Sequence, residues 1–393
     1  MPVIPQISEY ADDLVAIRRD FHENPELGME EVRTSGIVAK LLKDWGIETH
    51  TGIGNTGVVG ILHGNQGAGR SIGLRADMDA LPVQERTNLP FASKVDGKMH
   101  ACGHDAHTTM LLGAARYLAE NPDFAGTAVF IFQPAEEGLG GARAMLDDDL
   151  FGKFPCDEIY GMHNNPSGEV NKVGVKPGTA MAGADFFDIT IHGQGSHGAI
   201  PQQSRDPIVI ASSLVQQLQS VVSRNVAATD QIVLSVTQIH AGAAYNVIPA
   251  ECTISGTMRY FDPDVAKMVR NRMHTLCEGI SKGFDVDITF DNRDIFDVLV
   301  NDLDLSHVML DIAAEVVGKD NVAVTEQRRM GSEDFADMLR VVPGAYCTVG
   351  HSGTQPLHAN EFFLDEDILP VGASIYAKII ERRTAAQGHK NRP

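Results

Sequence analysis

The feature that most restricts the fold of this 393-residue chain is an alternation of strand-like and helical runs. In the first half, β-rich runs at 58–62, 71–76, 127–132 and 157–162 have an apolar helical segment, 108–118, between them. That order predicts strand-helix crossovers, hence an α/β fold whose mixed, largely parallel sheet carries helices on both faces. Two helices precede it. One runs from about Ile7 to His22 with Leu14, Ile17 and Phe21 at helical spacing, and one passes through Ile37, Val38, Leu41, Leu42 and Trp45 to a Gly46 C-cap. From about 185 to 291 the texture changes to a self-contained unit: strand 186–192, helix 207–224, strands 231–240 and 251–261, helix 263–282, strand 285–290. This is the split βαβ order of a ferredoxin-like βαββαβ domain. The expected organisation is therefore a first part of the main domain at 1–183, an inserted domain at 184–292 and a second part of the main domain at 293–393. Within the last part we expect helices at 305–317, 334–339 and 368–382, a β-rich run at 346–349 and a frayed tail from 384.

Composition narrows the class of function. With 43% hydrophobic and 21% charged residues the chain reads as globular. Its net charge of −20 argues against nucleic acid or an anionic membrane as the main partner, because either would be repelled. The N-terminal residues lack a basic region followed by an apolar run, and no stretch reaches the ~18 apolar residues of a span. Five scattered cysteines (Cys102, Cys156, Cys252, Cys277, Cys347) fit a reducing compartment. A cytoplasmic protein is expected. Gly52, Gly54 and Gly57 spell G-x-G-x-x-G, but a strand-like run follows where a dinucleotide site needs a helix N-terminus; a turn between two strands is the better reading.

Ligands on such a sheet gather beyond the strand carboxyl ends, and there this sequence is rich in donors. Asp77 and Asp79 follow 71–76, Cys102 and His104 open the helix, Glu136 and Glu137 follow 127–132, and His163 closes 157–162. Thiolate, imidazole and carboxylate together make a transition-metal donor set. Cys102 and His104, two apart in extended chain, would point the same way. His100 and His107 are read as structural or supporting residues. Glu136 and Glu137 are either one metal ligand beside one proton carrier or a solvated acidic loop.

Ten motifs, in order along nearly the whole chain, identify a resemblance: RRDFHENPELGMEEVRTSG, LRADMDALPVQE, MHACGHDAHTTMLLGAA, VFIFQPAEEGLGGARAM, GMHNNP, GQGSHGAIP, YNVIPAE, GTMRYF, GSEDFA and PLHANEF. The chain resembles the aminoacylase and carboxypeptidase type of dinuclear metallohydrolase, in the branch of hippurate hydrolases, N-acyl-amino-acid amidohydrolases and plant auxin-conjugate hydrolases. The resemblance implies that Cys102, His104, Glu137, His163 and His358 bind two divalent metals, with Glu136 as general base and acid. The thiolate favours zinc; manganese, cobalt and nickel are alternatives. Asp77 would stand where the wider family has an early His ligand and Cys102 where it has a bridging carboxylate, while Asp79 resembles a carboxylate that orients a ligand. His197 would stabilise an oxyanion across a homodimer interface built by the inserted domain. Asn246 and Arg259 would contact substrate, unless Arg259 is simply paired with an acid such as Asp262. The implied activity is hydrolysis of the amide of a small N-acyl amino acid. Alternatives are a dipeptidase or carboxypeptidase, a deacetylase of a biosynthetic intermediate, or a metal-binding protein without turnover.

Overall fold

The computed structural model describes residues 3–166 and 168–385; the tail expected from 384 lies outside the described residues from 386 onward. The chain divides into two compact units, Met1–Ala180 with Val300–Arg328 and Asp334–Pro393, and Met181–Leu299 with Arg329–Glu333. Each has its own apolar core.

The first unit is built on an eight-stranded sheet. Its strands include β1 (Glu48–Ile53), β2 (Gly57–His63), β3 (Ser71–Asp77), β4 (Thr127–Gln133), β5 (Glu158–Asn165) and β6 (Val173–Val175). The order is β1, β2, β4, β3, β5, Gly344–Gly350, β6, Val322–Val324. The central strands β4, β3, β5 and Gly344–Gly350 run parallel, while β1, β2 and the contact of Gly344–Gly350 with β6 are antiparallel. Alternate residues of a strand face opposite sides. Ala128, Phe130 and Phe132 of β4 join the main core, yet Val129 and Ile131, facing the other way, are also fully buried, so both faces are covered. The G-x-G-x-x-G segment joins the antiparallel strands β1 and β2.

The central helix starts earlier than its apolar run suggests, at His104, and extends to Glu120. The single helix expected over 7–22 is two, Pro5–Glu9 and Ala11–Glu23. Tyr10 leaves helical geometry at the junction and buries its ring beneath the Arg116 guanidinium, 4.2 Å from the ring centre. A cation held over an aromatic face is attracted by the ring.

The second unit has strands Gly183–His192, Ile232–Ala241, Glu251–Tyr260 and Asp287–Phe296 with helices Pro207–Asn225 and Pro263–Phe284. Its antiparallel order is Ile232–Ala241, Glu251–Tyr260, Gly183–His192, Asp287–Phe296, the ferredoxin-like arrangement. Both helices start on an Asp-Pro pair. Asp206 accepts from the Ile208 and Val209 amides and Asp262 from those of Asp264 and Val265, while the proline occupies the first helical position.

Candidate metal centre

Because β3, β4 and β5 are parallel neighbours, whatever follows their carboxyl ends collects at one edge of the sheet. Asp77 ends β3, Glu136 and Glu137 lie just past β4, and His163 sits near the end of β5. Cys102 and His104 arrive differently from the extended pair expected. Gly103 is left-handed, with φ of 90°, and His104 is the first residue of the central helix, so a turn brings the two side chains together. A Cβ at position 103 would fall 2.4 Å from Asn164 Nδ2, which makes glycine necessary for space as well as for conformation.

The outcome is a cluster of six side chains. Cys102, His104 and His163, then Cys102, Glu137 and His358, then His104, Glu136 and Glu137, form overlapping sets whose ligand atoms lie within 4.8 Å of one another. Cys102 Sγ is 3.3 Å from His163 Nε2, and Glu137 Oε1 is 3.2 Å from His358 Nε2 without hydrogen-bond alignment. His104 pairs through Nδ1 with Asp79 Oδ1 at 3.0 Å, whereas its Nε2 is buried with no hydrogen-bond partner among the described residues. A buried imidazole nitrogen without a partner needs an explanation. Set among a thiol, imidazoles and carboxylates, it is explained by a transition metal, and the donor set fits a pair of divalent ions.

The electrostatics agree. Burial disfavours a charged His104, but Asp77 and Cys102, with the Asp79 hydrogen bond, outweigh it and raise its pKa well above the usual histidine value. His358 is raised to about 10 by its contacts with Cys102 and Glu137. The Cys102 thiol is pushed up by burial and by Glu137. Burial, then the neighbouring His107, drives His163 well down, leaving it a neutral ligand-type imidazole. Metals entering this cluster therefore displace protons.

Beneath it runs a buried hydrogen-bonded chain whose members Arg75, Gln133 and Asn164 sequence reasoning missed. Arg75 donates to Gln133 at 2.8 Å and Asp77 at 2.7 Å; Asp77 accepts from His107 Nδ1 at 2.7 Å; His107 Nε2 accepts from the Asn164 amide at 3.0 Å. Asn164 Nδ2 donates to the Cys102 carbonyl at 2.6 Å, and its Oδ1 lies 3.1 Å from His351 Nε2. Asp77, the stand-in for an early His ligand, thus faces Arg75 and His107, with His104 Nε2 at 3.9 Å. His351 supports Asn164, and it is His358 that lies beside Glu137. The one local signal for Asn164 was its place directly after His163.

In the second unit His197 pairs across a short ladder with Val247, and the Gly198 amide donates to the Asn246 carbonyl at 2.8 Å, so His197 and Asn246 are neighbours. His197 Nδ1 accepts from the Ala199 amide at 3.0 Å, which puts the neutral ring's proton on the exposed Nε2. Arg259 lies toward the far end of Glu251–Tyr260, over the Phe186 ring, and makes no ion pair among the described residues. Asp262 caps a helix instead.

Comparison with known proteins identifies the family. The model of peptidase family M20/M25/M40 matches residues 73–382. Hippurate hydrolase of Campylobacter jejuni is 42% identical over 96% of this chain and 98% of its own length. The IAA-amino acid hydrolase ILR1-like 4 of Arabidopsis thaliana is 38% identical over 95% and 86%. The Bacillus subtilis YXEP protein, a dinuclear metal binding peptidase from the M20 family, superposes with a TM-score of 0.78 at 36% identity, covering 95% of this chain and 98% of that one. With the family model and full-length relatives in agreement, the chain belongs to peptidase family M20/M25/M40 and is a metallohydrolase acting on amide bonds.

Proposed function

We propose that the protein hydrolyses N-acyl amino acids of the hippurate or N-acetyl type, releasing a carboxylate and a free amino acid. The observation that carries this reading is the buried Glu136 carboxyl beside Glu137 and His104, a carboxylate surplus to the five candidate ligands. Two divalent ions held by Cys102, His104, Glu137, His163 and His358 would make water acidic enough to attack near neutral pH and polarise the acyl carbonyl. Glu136 takes the proton of the attacking water and returns it to the departing nitrogen. His197 donates from Nε2 to the oxygen that gains charge, a role its tautomer suits. Arg259 grips the carboxylate of the amino-acid portion, and Asn246 contacts substrate.

In this reading the inserted domain, 184–292, builds a homodimer, and each active site uses His197 of the partner subunit. Zinc is the proposed metal, ahead of manganese, cobalt and nickel, because of the thiolate. Five free cysteines support a cytoplasmic location; among the described residues no helix is long and apolar enough to cross a membrane.

The test is Glu136→Gln with metal content and turnover measured together on a panel of N-acyl amino acids, each metal added back in turn. Full metal occupancy with activity lower by about 10³-fold or more is expected; near-normal turnover would remove Glu136 from the mechanism.

A further inference from the structure

The backbone around Glu136 is gripped from both sides by buried carboxylates. On one side the Glu137 amide donates to Asp79 Oδ2 at 2.9 Å; on the other, the Ala135 amide donates to Glu31 Oε1 at 2.8 Å. Glu31 immediately precedes the helix Val32–Asp44 and is wholly buried, and its second oxygen accepts from Thr56 Oγ1 at 2.6 Å. Burial pushes its carboxyl up to about 7, against the pull of the Thr56 hydroxyl and the amides bonded to it.

Ala135 is itself unusual, with φ of 52° in a region that residues with a Cβ seldom adopt. The segment bearing Glu31 packs tightly on it: a Cβ on Gly28 would lie 2.9 Å from Ala135 Cβ and 3.0 Å from its Cα. A strained residue persists only where its surroundings over-determine it. Here the strained residue is the one before Glu136, and the group bonded to its amide is Glu31.

We propose that Glu31 is a positioning residue for proton transfer, holding the left-handed turn at Ala135 that aims Glu136. The inference rests on the reading of Glu136 given above, and Glu31 acts only through that residue. Misplacing a reacting group by about 1 Å can cost about 10²-fold in rate.

A double-mutant cycle in the metal-loaded protein tests it, using the fastest-cleaved member of the N-acyl amino acid panel. Glu31→Met keeps the side-chain volume but removes the acceptor. It is expected to lower kcat about 10–100-fold, with KM within about threefold and bound metal unchanged. Glu31→Gln, which can still accept from Ala135 and meet the Thr56 hydroxyl, should stay within about threefold of wild type. In a Glu136→Gln background Glu31→Met should change the residual rate by less than about twofold, since no proton-carrying carboxylate remains to be misplaced. Equal losses in both backgrounds, or wild-type kcat for Glu31→Met, would overturn the proposal. Should Glu31→Met fail to fold, Thr56→Val, which frees the other carboxylate oxygen, is read by the same comparison of backgrounds. If Glu136→Gln is itself fully active, the reading of Glu136 falls first; if it is inactive while Glu31→Met matches wild type, only the role of Glu31 falls.

Discussion

Asp79→Asn is an isosteric change that should loosen the metals while leaving the fold standing. Asp79 is 2% exposed, and each of its oxygens faces an N–H donor, His104 Nδ1 at 3.0 Å and the Glu137 amide at 2.9 Å. An asparagine presents one oxygen and one NH2, so it can serve only one of the two. With the NH2 toward the Glu137 amide, two donors meet head-on and the Glu137 segment shifts. With the NH2 toward His104, the imidazole proton must move to Nε2, the nitrogen that otherwise has no partner and faces the cluster. Either way one proposed ligand is spoiled. Losing a partner that orients a ligand typically weakens metal binding about 10–100-fold, equivalent to about 1.4–2.7 kcal/mol. Competition of the metal-free protein with a chromogenic chelator reads this directly, alongside melting of both metal-free proteins. A metal affinity within about twofold of wild type would refute the reasoning, and a lowered metal-free melting temperature alone would make Asp79 merely structural.

If each site borrows His197 of the partner subunit, mixing inactive His197→Ala with inactive Glu136→Gln subunits should restore up to about a quarter of wild-type activity, one intact site in the mixed dimer; no recovery after demonstrated subunit exchange would count against the shared site. Glu158 supplies a pH test. Burial alone would raise its carboxyl, but Arg383, Tyr160 at 2.7 Å and Arg70 hold it below its usual 4.5. A depressed acid stabilises the fold above its unfolded pKa and loses that contribution as pH falls through its folded pKa. Glu158→Gln should therefore cost about 1.5–3 kcal/mol near neutrality, with the melting gap to wild type closing as pH drops below about 4.5; a constant gap would show that Glu158 is not titrating.

What could be read without coordinates was what depends on short-range pattern. The central strands, the ferredoxin-like unit and the donors beyond β3, β4 and β5 all follow from local periodicity and from the rule that parallel strands share a carboxyl edge. The starts expected for both helices of the second unit, at 207 and 263, are the observed ones. What stayed hidden depends on partners far away in the chain. Nothing local in the run RADMD names the partners of its charges, yet Arg75 and Asp77 are fully buried because Gln133, Asp334 and His107 converge on them. The turn at Gly103 is set by Asn164 on another strand. Glu31 stands beside Glu30 in the run GMEEVR with nothing local to set it apart, and only its contacts with Thr56 and Ala135 distinguish it. His358 was reachable through the resemblance alone, since its approach to Glu137 depends on a segment that follows the insertion.

The placement of the second unit has a consequence for biosynthesis. β5 has two neighbours in the sheet: β3 comes before it in the chain, but Gly344–Gly350 comes only after the whole of Met181–Leu299. His358 comes later still. At ~5–20 residues per second, a ribosome that has just incorporated His163 needs roughly 10–40 s to reach His358. During that interval β5 presents an open edge to solvent or chaperones, and Cys102, His104 and His163 form an incomplete nest of donors. If His358 completes the metal site as proposed, loading of the full metal pair is among the last events in the maturation of each chain, after the inserted unit has been made.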